Sequence, residues 1–251
     1  MEAVNRMCDS NVPKVPGWKG WIDVPLPSIS GAPLPWVDLS HPITETLSRI
    51  PFFPQPKIGR WMNYPPVNVT EIHMVVHHGT HFDAPRHFVE DGPTIDQVPL
   101  ERLYGQGVIW RIDKPPRGAI FAADLEQATP AIKRGDIVLI DTGWWEQINT
   151  DTYEDHPVLT EEAAYWLIEH GAKLVGVDSS STDLAVHYRP DDFDYPVHRT
   201  LLTHGVLIAE HMTNLTCLAG QRVEIMFLGI NIVGSDGAPA RVVARPFVER
   251  T

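Results

Sequence analysis

The chain has 251 residues, 20 Lys and Arg against 32 Asp and Glu, a formal net charge of −12 and a 43% hydrophobic share. That length allows one large domain with a sizeable core. The acidic balance, with no run of Lys or Arg, excludes nucleic-acid backbones and anionic membrane surfaces as partners.

Residues 1–35 carry Pro13, Pro16, Trp18, Trp21, Pro25, Pro27, Pro33 and Pro35 without periodicity. They read as an N-terminal arm laid over a surface or a partner subunit, because bare Trp side chains are unusual on a free tail. The stretch Met1–Pro16 lacks the apolar segment of about 7 to 15 residues that marks a signal peptide. No apolar run reaches the ~18 residues of a membrane span. Cys8 and Cys217 are too few for a disulfide framework, which fits a cytoplasmic setting.

The domain proper is expected over residues 36–251. Trp36 to Leu39 reads as a short strand, and Ile50 to Pro54 is too proline-broken for regular structure, with Phe52 and Phe53 placed to wall a pocket or to fill a core. A strand is predicted from Glu71 to Val76, and another from Gly107 to Ile112. Asp124 is expected to cap a short helix through Ile132, followed by a strand over Asp136 to Ile140. Thr160 caps the next helix, with Glu161 and Glu162 in its first turn and Gly171 at its end. Lys173 to Val177 is a strand, and the run Asp178 to Asp183 leaves it as a loop. A third helix spans about Val197 to Thr203, then a strand Val206 to Ala209, then paired strands Arg222 to Leu228 and Arg241 to Ala244 around a turn at Gly234 to Gly237. Helices alternate with strands only in the middle, a pattern that predicts an α/β or α+β domain with a mixed sheet.

The chemistry concentrates in His77-His78-Gly79-Thr80-His81-Phe82-Asp83-Ala84-Pro85-Arg86-His87, where four of the twelve histidines fall beside an aspartate. Gly79 and Pro85 disfavour a continuous helix. In extended backbone His81 and Asp83, at i and i+2, point the same way and can meet one ion. His87 follows as a further ligand or a proton carrier. Histidine pairs arise by chance in such a chain, but the whole array is a metal-binding pattern. His198, at a helix start, and Glu210, at the end of the following strand, are distant donors that reach the same spot only if the strand end returns to the helix start.

The array resembles the H-x-G-T-H-x-D-x-P-x-H signature of the metal-dependent cyclase family, which includes bacterial kynurenine formamidase, isatin hydrolase and trans-dienelactone hydrolase. Asp38-Leu39-Ser40, Asp141 to Trp144, Gly176-Val177-Asp178, His198 to Glu210 and Gly234 to Arg241 extend the likeness over residues 36 to 245. The resemblance implies a swivelling β/β/α fold, a homodimer or homotetramer, and one or two zinc or manganese ions. It assigns His77, His81 and Asp83 to a first ion. It assigns His198 and Glu210 to a second, with Asp83 and Glu210 bridging and His87 as proton donor and acceptor. Imidazole and carboxylate suit either metal. Three departures are visible: Phe53 stands where formamidases carry a substrate-stacking Trp, His78 replaces a common Thr, and the arm before Trp36 is long.

The implied reaction is hydrolysis of an amide-type acyl bond in a small aromatic or cyclic substrate by metal-activated water. A lactone or cyclic imide is the alternative substrate. Two other readings remain: a non-haem iron oxygenase built on His81, Asp83 and His198, and a metal-binding member without turnover. The chain has no G-x-S-x-G elbow and no H-E-x-x-H helix.

Overall fold

A computed structural model describes residues 16–25 and 34–247, so expectations for the remainder of the arm and for the last four residues lie outside the described residues. Twelve strands are present among them: β1 Val37–Asp38, β2 Lys57–Tyr64, β3 Val67–His73, β4 His81–Asp83, β5 Tyr104–Arg111, β6 Ala119–Ile120, β7 Ile137–Asp141, β8 Val158–Leu159, β9 Leu174–Val177, β10 Leu207–Glu210, β11 Gln221–Gly229 and β12 Gly237–Pro246. Three α-helices accompany them, α1 Ala122–Glu126, α2 Glu161–Glu169 and α3 Pro196–Thr203.

The main sheet runs β1-β12-β11-β5-β7-β9-β10-β4, and β4 also pairs with β12, so the sheet closes on itself as a mixed, barrel-like arrangement. The β5–β7, β7–β9 and β9–β10 pairs are parallel and the other pairs of this sheet antiparallel. Both faces of the central strands are covered, which is why Ile137-Val138-Leu139-Ile140 reads as an unbroken apolar run rather than an alternating one. Ile137 and Leu139 join Ile109, Leu174, Leu207, Val223, Ile225 and Val242 in one core. Val138 and Ile140 join Val108, Trp110, Val175 and Ile208 in a second core under α2 and α3, against Leu167, Leu201 and Leu202.

Local chemistry sets the helix ends. Thr160 caps α2 as expected, its hydroxyl accepting from the Ala163 N–H at 3.1 Å. Asp124 does not cap a helix through Ile132. It stands inside the first turn of the five-residue α1, where it accepts from the Phe121 N–H at 2.8 Å, and α1 ends four residues before Pro130. The strand expected over Glu71 to Val76 ends at His73, and its partner β2 was not anticipated.

The described part of the arm lies across its own domain. Lys19 N–H donates to the Thr203 carbonyl at 2.8 Å, Arg134 Nε donates to the Asp23 carbonyl at 2.8 Å, and Trp21 packs on the first core beneath the Arg102 guanidinium. Gly205 permits this close passage: its φ is +72°, and a Cβ there would stand 2.5 Å from the Gly20 carbonyl oxygen.

Candidate metal centre and its pocket

Three-residue β4 is held on both edges, by β10 and by β12. Its middle residue, Phe82, is buried against Phe227 on the apolar side. Alternation then sends His81 and Asp83 to the opposite side together, as their i, i+2 spacing predicts. The antiparallel register sets Glu210 directly opposite His81. Helix α3 leads away from the site and β10 leads back, so His198 and Glu210 meet, with His198 Nε2 3.1 Å from Glu210 Oε1.

The hydrogen bonds fix each ring. His81 Nδ1 donates to the Gly79 carbonyl at 2.8 Å, which turns Nε2 toward Asp83 Oδ1, at 3.4 Å, and Glu210 Oε2, at 3.6 Å. His198 Nδ1 donates to Asp183 Oδ2 at 2.6 Å, and the same carboxylate accepts the Val197 and His198 backbone N–H groups at 3.1 and 3.0 Å. His77 Nε2 and His87 Nδ1 both reach Asp236 Oδ2 at 2.9 Å. His77 Nδ1 forms an ion pair with Asp83 Oδ1 at 2.8 Å. Gly237 makes room for this ring, since a Cβ there would fall 2.6 Å from His77 Cε1.

Asp183 and Asp236 are thus positioning residues that the sequence reading passed over: one sat in a Ser-rich loop, the other in a Gly-Ser-Asp-Gly turn. A carboxylate just beyond a strand or turn, within reach of a ligand histidine, is the signal that would have pointed to them.

Buried His81 Nε2 and both Asp83 carboxylate oxygens find no hydrogen-bond partner. Leaving such atoms unpaired is costly. Their spacing matches neighbouring donors around one ion, because ligands ~2.1 Å from a tetrahedral centre stand roughly 3.4 Å apart. Two groups of ligand atoms converge in this way, His81, Asp83 and Glu210, and His77, Asp83 and His87. The donor set therefore fits a divalent cation.

Electrostatics agree. Burial works against a charge on His77, but the Asp83 and Asp236 carboxylates overcome it and push its pKa up to about 10. His198 is likewise opposed by burial and raised to about 10 by Asp183 and Glu210. Burial would raise Asp83, yet the His77 and His87 charges hold it well below the usual carboxylate range. Hydrogen bonds from His77, then from His87, hold Asp236 low as well.

Beside these groups opens a cavity of about 270 Å³. Phe52, Phe53, Phe88 and Tyr195 supply its aromatic surface, and His77, His87, His198 and Glu210 its polar end. Phe53 leans on the His77 ring, centroids 6.4 Å apart, so both aromatics of the proline-broken segment do face the pocket. Phe88, Ser180, Ser181, Arg189 and Tyr195 also line it and were not anticipated.

Residues 37–184 match the family described as putative cyclase. The chain is 28% identical over 220 residues to the kynurenine formamidase of Bacillus cereus, covering 84% of this chain and 97% of that protein. It is 31% identical over 182 residues to the kynurenine formamidase of Erythrobacter litoralis, covering 72% and 78%. Among solved structures it is similar to isatin hydrolase A from Ralstonia solanacearum, with a TM-score of 0.76, 25% identity and coverage of 84% and 91%. A potential metal-dependent hydrolase with cyclase activity aligns with a TM-score of 0.71 and 29% identity over 84% of this chain and 97% of that one.

Proposed function

Since the chain belongs to the putative cyclase family, we propose that it is a metal-dependent hydrolase that cleaves an amide-type acyl bond of a small aromatic or cyclic substrate. The observation that carries this is the cluster of unpaired His81 and Asp83 atoms facing Glu210 at the polar end of an aromatic cavity. In this reading His77, His81, Asp83, His198 and Glu210 would hold one or two ions, His77, His81 and Asp83 serving the first and His198 and Glu210 the second. Manganese or zinc, one or two per chain, suits the donors. Such an ion would supply Lewis acidity for the acyl carbonyl and for an attacking water near neutral pH.

The protein's own groups do the rest. Asp236 accepts from His87 Nδ1, leaving Nε2 to take a proton as water adds to the acyl carbon. His87 then returns that proton to the leaving nitrogen as the carbon–nitrogen bond breaks, giving an acid and an amine. Phe52 and Phe53 flank the ring of the substrate. The oxygenase reading uses His81, Asp83 and His198 and gives Glu210 no role, although Glu210 lies 3.1 Å from His198.

The reading extends to the whole protein. It divides the chain into an N-terminal segment of residues 1–35, of which the described residues 16–25 lie on the domain, and a catalytic domain of residues 36–251 with the family's swivelling β/β/α architecture, in the cytoplasm. No helix among the described residues is long and apolar enough to cross a membrane. A dimer or tetramer is supported by the β2–β3 hairpin, a two-stranded sheet that exposes Trp61, Met62, Tyr64, Val67, Val69 and Ile72. Such a pair is marginal in water on its own, and its apolar surface calls for a partner. A monomeric wild type in sedimentation would remove that part.

The deciding experiment offers N-formylkynurenine, isatin and a dienelactone to manganese-loaded, zinc-loaded and chelated protein, with products read by mass spectrometry. Opening of one compound only with metal is expected. Metal-independent turnover, or a purified chain that binds neither ion, overturns the reading.

A further inference from the structure

Arg189 is the lone lysine or arginine among the described residues that line the cavity. It stands in the loop between Asp183 and α3, directly after a short 3-10 turn, Val186–Tyr188. Two of its donors hold it in place: Nε gives to the Leu184 carbonyl at 2.6 Å and one terminal nitrogen gives to the Tyr195 hydroxyl at 3.1 Å. Its guanidinium carbon lies 4.6 Å from the Tyr195 ring centroid and 5.5 Å from that of Phe193. Stacking of this kind fixes the plane of a guanidinium and leaves its edge for a planar anion.

The missing partner is the informative part. Arg86, Arg111, Arg199, Arg222, Arg241 and Arg245 each pair with a carboxylate, and of the described arginines that do not, Arg49, Arg60, Arg102, Arg117, Arg134 and Arg189, only Arg189 lines this cavity. No carboxylate oxygen of the described residues stands within 4.0 Å of Arg189, in a chain with 32 acids. Asp191 and Asp192 are close in sequence but face solvent, and Asp194 is taken by Arg199. Glu154 feels the Arg189 charge from beyond ion-pair distance. A half-buried guanidinium, immobilised and unpaired at the wall of a binding cavity, is a ready receptor for a carboxylate.

We propose that Arg189 forms an anion subsite, so that the substrate is an acylated aromatic amine or cyclic aryl amide bearing a carboxylate outside the bond that is cleaved. The aromatic walls take the ring, the histidine and acid cluster takes the acyl group, and Arg189 takes the carboxylate. The inference rests on the hydrolase reading for the acyl group alone, since anion binding needs no turnover.

The test is calorimetric binding of benzoate and of neutral benzamide to metal-free and metal-loaded wild type, Arg189→Gln and Arg189→Lys, each checked for an unchanged circular-dichroism spectrum. Wild type is expected to bind benzoate at least tenfold more tightly than benzamide, with or without metal. Arg189→Gln should erase that preference and leave benzamide binding unchanged, and Arg189→Lys should restore part of it. Equal binding of the two probes by wild type overturns the proposal. So does a benzoate preference that survives in Arg189→Gln, which would put the anion on the histidines or the metal. Equal loss of both probes makes Arg189 a prop for Tyr195 instead. Kinetics with formanilide and its ring-carboxylated analogues run in parallel. If none is hydrolysed the open-chain formamide part of the hydrolase reading fails, while the binding result still decides Arg189; if they are, the carboxylate should act on KM rather than kcat.

Discussion

Replacing Asp183 with Asn is the sharpest test of how the centre is held. The carboxylate is 2% exposed and accepts three hydrogen bonds, from the Val197 and His198 backbone and from His198 Nδ1 at 2.6 Å. Asn is nearly the same size but presents one acceptor and one NH2, so whichever way it turns, an N–H donor of α3 or of His198 meets another donor. A hydrogen bond to a charged group contributes about 1.5–3 kcal/mol against about 1 kcal/mol for a neutral one. Loss of the partner that orients a ligand histidine typically costs about 10- to 100-fold in metal affinity. At about 1.4 kcal/mol per tenfold, that is roughly 1.4–2.8 kcal/mol, in line with the hydrogen-bond arithmetic. The assay is competition for zinc and for manganese against a chromophoric chelator near neutral pH, with urea unfolding of the metal-free protein as control. A metal Kd within about threefold of wild type would refute the claim that Asp183 holds His198 for the ion.

Three further outcomes are expected. His87→Ala should lower kcat by about 10²- to 10⁴-fold, the usual contribution of a general base, with metal content by mass spectrometry unchanged; loss of metal would make His87 a ligand instead. Gly237→Ala puts a methyl 2.6 Å from His77 Cε1, so metal affinity should fall at least tenfold, and an unaltered metal Kd would show that the ring adapts. Lys173 is fully enclosed, donates to the Glu101 and Tyr104 carbonyls at 2.7 and 2.5 Å, and is lowered by burial from 10.5 to about 8. The folded state then binds fewer protons than the unfolded one between those values, so stability relative to Lys173→Met should rise with pH across that window, by up to about 3 kcal/mol. A flat difference in urea midpoints from pH 8 to 10.5 would sink it.

The sequence made the middle of the fold legible because each signal there was local. Thr160 with Glu161 and Glu162 marks a helix start, and Ile137 to Ile140 marks a strand covered on both faces. The same local logic misread α1, since a side chain that accepts the Phe121 N–H sits in the first turn as readily as it caps one. β2 and the first part of β3 escaped because their side chains meet no core, so no alternation of buried and exposed positions is imposed on them. At the site, His81 and Asp83 followed from strand periodicity. The approach of His198 to Glu210 depends on α3 and β10 running in opposite senses, and that of Asp236 to His77 and His87 on β12 closing the sheet against β4. Closure is a property of the whole sheet, and short-range spacing carries no trace of it.

That closure also decides what the centre does with charge. Asp83, Asp183 and Glu210 are all nearly buried, and a buried carboxylate without a counter-charge is expensive. In the metal-free protein the compensation comes from His77 and His198, both held protonated by pKa values of about 10. A ligand nitrogen must surrender its proton to bind an ion. His198 gives up the Nε2 proton that faces Glu210, and His77 the Nδ1 proton that faces Asp83. Each of the two rings would thus give up one proton in favour of the ion it holds. Loading the site near neutral pH should therefore release about two protons per chain, and metal affinity should climb with pH until the range near 10 is reached, because protons compete for the same nitrogens below it. Calorimetric titration of metal-free protein in buffers of different ionisation enthalpy reads the proton count directly. A count near zero would mean that the imidazoles are already neutral, and the balance of charge in the centre would have to be drawn from elsewhere.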